Sequence, residues 1–166
     1  MQVDVARADR LLRQLADLLR ASLRSDQEEL TTFANELEIL RLYAHIMHQR
    51  FEHRVTLSWN IAANVDRALV PTMLLQPLLE NAFKHGVERT TAPAHIEVEA
   101  RRAADQVDIC IRNSGAISTV PGEGVGLRNC QARLRAHYGG RATFAFSADE
   151  NRAEVRILVP WQERAA

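Results

Sequence analysis

The spacing of apolar positions changes once along the chain, and the change separates two regions. Val5, Leu11, Leu12, Leu15, Leu18, Leu19 and Leu23 recur at three- and four-residue steps with Arg and Asp between them, which is the period of an α-helix with one apolar face. The pattern is interrupted at Ser25-Asp26-Gln27-Glu28 and resumes with Leu37, Leu40, Tyr43, Ala44 and Met47. The interruption has the form of a capping box, and Thr31 or Thr32 is equally placed to cap the second helix. Two antiparallel helices follow. From Arg54 the period is two: Val55, Leu57, Trp59 and Ile61 alternate with polar residues, as do Ile96 and Val98, then Val107, Ile109 and Ile111, then Phe144 and Phe146, then Val155, Ile157 and Val159. Five strands are predicted from these runs, with helices near Asp66 to Ala68, Thr72 to His85 and Leu127 to His137. Strands joined by hairpins, with helices gathered on one face, make an α+β chain, a two-layer α/β sandwich behind a two-helix hairpin. The division is residues 1–52 for the hairpin and 53–163 for the sandwich. Pro71 suits a first helical turn, whereas Pro77 lacks an N–H and either kinks its helix or starts a second segment there.

Candidate chemistry concentrates in Leu74 to Gly86, LLQPLLENAFKHG. Wound as a helix, Leu75, Leu78, Leu79, Ala82 and Phe83 form an apolar arc, while Gln76, Pro77, Glu80, Asn81 and Lys84 gather opposite. A polar stripe alone is the ordinary outcome of packing one helix face against a core. A second segment changes the picture: Gly122, Gly124 and Gly126 alternate just before the helical pattern that begins at Leu127. Glycine lets another group approach the backbone, and a helix N-terminus presents unpaired N–H groups at the positive end of its dipole, so an anion such as phosphate is the natural occupant. A lone alternation of glycines is equally the mark of a flexible loop; the two segments together point to a metal and phosphate site.

Composition narrows the remainder. The chain has 166 residues, 46% hydrophobic and 25% charged, enough for one core with a helical extension. Lys+Arg and Asp+Glu number 21 each, so no global basic field recruits nucleic acid or an anionic membrane. Cys110 and Cys130 lack metal-type spacing and read as buried thiols in a reducing compartment. No run approaches the ~18 apolar residues of a membrane span, and no signal-peptide pattern opens the chain, so a cytoplasmic location without direct membrane contact is expected.

At LQPLLENAFKHG and GEGVGLRNCQARLRAHYGG the sequence resembles the GHKL, or Bergerat-fold, ATP-binding domains, and most closely the LytS/AlgZ-type sensor histidine kinases. The first segment is similar to that family's asparagine box and the second to its second glycine box. The likeness continues upstream through ELEILRLYAHIMHQRFEHRV and ADLLRASL, over nearly the whole chain. It implies a mixed sheet with helices on one face, ATP and Mg²⁺ as ligands, a helical hairpin left over from a dimerisation bundle, a homodimer, a response-regulator partner, and a full-length parent attached to the inner membrane. The implied first glycine box is Ile111-Arg112-Asn113-Ser114-Gly115. Asn113 stands where most of the family carries the Asp that receives the adenine amino group, and Ile117 stands at the position of the box's second glycine. The side-chain carbonyl of Asn113 still accepts such a bond, without the charge that strengthens it.

The roles then follow from charge and reach. Asn81 offers a hard carbonyl oxygen, and Mg²⁺ needs few protein ligands when water and phosphate complete its shell. Lys84, one turn on, brings an ammonium near the phosphates. Gly122, Gly124, Val125, Gly126 and Leu127 supply backbone around them, with Arg128 and Asn129 as assisting side chains or as a solvent-facing first turn. Gly115 relaxes the turn at the adenine end. His85 is either a phosphate neighbour or a helix C-terminal residue stabilised by the dipole. Glu80 immediately precedes Asn81, whereas in several ATP-hydrolysing relatives the activating carboxylate lies four residues earlier, where this chain has Pro77. It is therefore carried as a candidate catalytic residue with Lys84, orienting a metal-bound water, a histidine or the lid, or as a surface carboxylate. Ala116 to Glu123 is the expected ATP lid. The implied reaction is phosphoryl transfer from ATP to a histidine. His45, His48, His53, His95 and His137 match no acceptor motif, so the chain reads as a truncated catalytic region whose acceptor lies upstream. A non-catalytic interaction module with a degenerate pocket, and an anti-sigma-type serine kinase, are the competing readings.

Overall fold

In the computed structural model, residues 16, 29–51, 54–88, 91–115 and 125–163 are described. The first helix of the expected hairpin apart from Ala16, the Ser25 to Glu28 capping box, His53, the lid with Ile117, Gly122 and Gly124 lie outside them. The elements are β1 (Leu30–Thr32), α1 (Phe33–Phe51), β2 (Val55–Ile61), β3 (Leu69–Pro71), α2 (Gln76–Gly86), β4 (Ala94–Ala103), β5 (Gln106–Ser114), α3 (Val125–Tyr138), β6 (Thr143–Ala148) and β7 (Arg152–Pro160). A short 3₁₀ turn, Gly139–Arg141, joins α3 to β6.

Strands β2, β4, β5, β7 and β6 lie in that order in one sheet. β2 runs parallel to β4 and the other pairs are antiparallel, so the sheet is mixed. The inward set of the strands, including Ile96, Val98, Ile109, Ile111, Val155 and Ile157, shares one core with Phe33, Leu37, Leu40, Leu78, Leu79, Phe83, Leu127 and Leu134 of the helices. The five expected strands are all present. The expected two-layer sandwich is therefore found, and its core is closed by α1, α2 and α3.

Three local expectations are corrected. Asp66 to Ala68 is a turn, because a single helical turn gains too few bonds to offset its nucleation. Its carbonyls serve elsewhere: Phe33 N donates to Ala68 O at 2.7 Å and Ala34 N to Asp66 O at 3.1 Å, satisfying the first amides of α1. Thr32 Oγ1 adds an acceptor for Asn35 N at 3.3 Å, so Thr32 takes the capping role. The helix expected from Thr72 begins only at Gln76, and Pro77 falls in its first turn without a kink, where a missing N–H costs nothing. Finally, Pro71 lies not in a first helical turn but in β3, which pairs antiparallel with β1, Leu30 opposite Pro71, in a ladder too short to show a period in the sequence.

The outward face of the sheet is held by charge. Arg112 on β5 reaches Glu97 (3.1 Å), Glu99 (2.7 Å) and Glu154 (2.6 Å), and Asp108 lies between Arg101 (3.0 Å) and Arg156 (3.7 Å). Cys110, between these rows, is covered, and burial pushes its thiol up to about 11, leaving it protonated. The Arg112 guanidinium holds the Glu154 carboxyl below the usual carboxylate range. That stabilisation is complete above the unfolded-state pKa and is lost as pH falls through the lower folded-state value. Arg112→Leu is accordingly expected to cost about 1–2 kcal/mol at neutral pH, with the deficit shrinking as pH drops below the carboxylate range; urea unfolding of both proteins at a series of pH values measures it.

Candidate functional site

The expected site residues that are described lie on α2 and at its two ends. Its buried side, Leu78, Leu79, Ala82, Phe83 and Gly86, packs into the core, while Glu80 and Lys84 are exposed and Gln76, Pro77, Asn81 and His85 are half-buried. This is the arc and stripe that helical winding predicts. Asn81 thus stands at the boundary between core and solvent, with Lys84 one turn further on. The Glu80 carboxylate accepts a hydrogen bond from Gln76 Nε2 at 2.8 Å, one turn back on the same helix.

Both ends of α2 meet the other motifs. At its C-terminal end the approach is close enough to require glycine: a Cβ on Gly86 would lie 2.5 Å from Asn113 Nδ2 and 2.9 Å from Ser114 O. Gly115, at φ +114°, turns the chain out of β5 directly over Gly86, and its N–H donates to Asn151 O at 2.9 Å. Asn113 is 3% exposed and donates Nδ2 to Ser114 O at 3.2 Å, which leaves its side-chain carbonyl as the accepting end. At the N-terminal end Gly126 abuts Pro77, where a Cβ would sit 3.3 Å from the proline Cβ. Leu127 anchors that turn in the core, whereas Val125, Arg128 and Asn129 are exposed. The first turn of α3 carries no acidic residue, so its positive dipole end is not neutralised from within the helix.

The structure also contains a site element that the sequence reading missed. Glu36, on the buried face of α1 and 3% exposed, accepts hydrogen bonds from the backbone N–H groups of Met73 (2.7 Å), Leu74 (2.9 Å) and Leu75 (3.0 Å). These three amides precede α2, Met73 is left-handed at φ +56°, and Leu75 makes no side-chain cap. Successive amides converging on one carboxylate form an anion nest filled from within the chain. Burial pushes the Glu36 carboxyl upward, opposed by the three N–H donors and by Arg133. From the other side α3 grips the same turn: the Cys130 thiol, raised to about 12 by burial, donates to Leu74 O at 3.3 Å, and Arg133 donates to Thr72 O. One signal was available in advance: Glu36 falls at helical spacing among Phe33, Leu37 and Leu40, a charge on an apolar face.

Among the described residues no group of three His, Cys, Asp or Glu side chains converges to hold a metal by itself. A divalent ion at Asn81 would depend on water and a ligand's own oxygens, which suits Mg²⁺ carried by a phosphate chain. The tightness at Gly86 gives a direct test. Gly86→Ala is expected to destabilise the chain by about 2–3 kcal/mol through displacement of Asn113, whereas Gly140→Ala, with nothing within 4 Å of the new methyl, leaves the urea midpoint nearly unchanged.

A family model described as histidine kinase matches residues 1–55. Across most of the chain the sequence is similar to the sensor protein LytS of Staphylococcus haemolyticus, 25% identical over 96% of this chain and 30% of that protein. It is also similar to the sensor histidine kinase YesM of Bacillus subtilis, 31% identical over 78% of this chain and 23% of that protein, and to the sensor histidine kinase BtsS of Escherichia coli K12, 26% identical over 98% and 29%. The chain therefore spans about a third or less of the length of these relatives. Among solved structures, the catalytic domain of histidine kinase ThkA superimposes with a TM-score of 0.60 at 17% identity, covering 82% of this chain and all of that one. The histidine kinase domain of the Erythrobacter litoralis EL346 blue-light activated kinase gives 0.63 at 14% identity, covering 96% and 76%. Relatives along the sequence and neighbours in the fold agree: the chain is similar to the LytS-type sensor histidine kinases and is folded like histidine kinase catalytic domains.

Proposed function

We propose that this chain is the ATP-binding catalytic region of a two-component sensor histidine kinase, passing the γ-phosphoryl group of Mg·ATP to a histidine upstream of this region. The observation that carries the reading is the convergence on α2: Gly126 against its first turn, Asn113 and Gly115 against its last, and Asn81 and Lys84 between them. Phosphoryl transfer asks the protein mainly to position reactants and neutralise charge, and these groups are of the kinds that do so. Asn81 would hold the magnesium ion through its carbonyl oxygen, and the ion would neutralise and orient the phosphates. Lys84 contributes an ammonium on the same stripe. The first turn of α3 offers backbone N–H groups to an anion, with Arg128 beside them. Asn113 presents its carbonyl at the opposite end, where an exocyclic amino group of a base would be received.

Glu80 is bonded to Gln76 and exposed, so its proposed part is to orient a water or an incoming histidine at the helix surface. Two of the chain's own histidines are paired in ways that suit structure: His45 Nε2 with Gln49 at 2.8 Å and His95 Nε2 with Ser58 Oγ at 3.0 Å. The remainder of the reading is a cytoplasmic region within a homodimeric parent, residues 1–52 belonging to its dimerisation helices, with a response regulator as partner. Among the described residues no helix is long and apolar enough to cross a membrane.

Titration with a fluorescent ATP analogue tests the proposal. Uptake is expected to tighten at least tenfold with Mg²⁺, Asn81→Ala is expected to abolish that enhancement, and Lys84→Ala is expected to weaken uptake in either condition. An unchanged magnesium dependence in Asn81→Ala overturns the assignment, and no uptake by the unmodified chain favours a non-catalytic module. Label transferred to a supplied acceptor region is expected to be acid-labile, as phosphohistidine is; acid-stable label would indicate a serine kinase.

A further inference from the structure

Glu36 is a costly way to cap the start of a helix. A carboxylate held 97% out of solvent, given its 3% exposure, needs full compensation, and ordinary capping by Ser, Thr or Asp at the helix start would satisfy the same amides locally. Here the acceptor comes instead from α1, 37 to 39 residues away in sequence, and it holds all three amides of the turn at 2.7 to 3.0 Å. The turn has little other freedom. Tyr138 Oη donates to Leu69 O at 3.0 Å, Cys130 and Arg133 hold Leu74 O and Thr72 O, and Met73 is locked in a left-handed conformation that a side chain resists. α1 therefore grips the start of α2 through its carboxylate, and α3 grips it through three side chains.

We propose that Glu36 is a positioning residue for the nucleotide site: seated in the nest of Met73, Leu74 and Leu75, it sets the register of α2 and passes any shift of α1 to Asn81 and Lys84. This rests on the nucleotide-binding reading above. The chain of contacts is short. Asn81 lies within two helical turns of Leu75, and α2 is a stiff helix of 11 residues, so a displacement at its N-terminus carries through rather than being absorbed. The opposing grip of α3 makes the nest a junction: Gly126 on α3 abuts Pro77, so moving α2 also alters its fit to the first turn of α3. The apolar contacts of Phe33, Leu37 and Leu40 hold α1 to the core without specifying its position along its own axis, whereas three hydrogen bonds to one carboxylate specify it closely.

The experiment uses the whole chain with Glu36→Gln, Glu36→Asp, and Glu36→Gln combined with Met73→Gly. Three quantities are read on each: magnesium-dependent uptake of the fluorescent ATP analogue, backbone amide exchange, and the urea midpoint. In Glu36→Gln the amide NH₂ faces backbone donors, so exchange at Met73, Leu74 and Leu75 is expected to quicken at least tenfold while the sheet amides hold. Analogue affinity is expected to fall at least tenfold, more with Mg²⁺ than without. Adding Met73→Gly, which removes the left-handed strain, is expected to restore part of the affinity without restoring the charge. Should Glu36→Gln fail to fold, Glu36→Asp, charged but one methylene shorter, is read instead and should show the same pattern at reduced size. A folded variant whose magnesium-dependent affinity stays within twofold of the parent overturns the proposal. An unmodified chain that takes up no nucleotide overturns the functional reading, and the positioning role with it, before any variant is measured.

Discussion

Three backbone amides with no partner in their own helix converge on the carboxylate of Glu36, and the arrangement of the molecule follows from that requirement. A buried N–H without an acceptor costs about as much as several good apolar contacts contribute. The turn ahead of α2 can therefore exist only where α1 delivers an acceptor. Once it exists, α2 begins at Gln76, Pro77 falls where its missing N–H does no harm, and the polar stripe of α2 faces outward from a fixed depth. The helix that carries the proposed chemistry is thus located by a residue on another element.

Close approach governs the far end of the same helix. Gly86 and Gly115 lie against one another with Asn113 beside them, and neither spacing nor charge would bring these groups together if a methyl stood at Gly86. The two ends of α2 are consequently fixed by different physics, hydrogen bonding at the start and steric complementarity at the end. Between them lie the exposed and half-buried residues of the polar stripe, Glu80, Asn81, Lys84 and His85. Such a division suits a site that must be rigid in its frame while its polar groups remain open to solvent.

The two faces of the sheet show how the same strands serve opposite surroundings. Inward positions such as Ile109 and Ile157 meet helices, and outward ones form a lattice of Arg112, Arg156 and Arg101 with Glu97, Glu99, Glu154 and Asp108. The lattice covers Cys110 and buries Asp108, which is why β5 is closed to solvent on both sides although only one side faces helices. The equal numbers of acids and bases in the chain are in part expressed as these local pairings.

Much of this was legible from residue order. A change of apolar period from three-and-four to two located α1 and all five strands of the main sheet, because each pattern reports which side of a regular element meets the core. The Leu74 to Gly86 segment and the glycines near Leu127 stood out as candidate chemistry for a related reason, since that chemistry is local: an amide, an ammonium and a permissive backbone within a few residues. The β1–β3 ladder, the turn at Asp66 to Ala68, the true start of α2 and the role of Glu36 were not legible. Each depends on where a group far away in sequence comes to rest, and a lone Glu on an apolar helix face carries no mark of which distant amides it will meet. By itself the sequence determined the elements, their buried faces and the candidate chemistry; tertiary structure alone decided the register of α2 and the meeting of Gly86 with Asn113, because hydrogen-bond satisfaction and steric fit between remote segments exist only once the chain has folded.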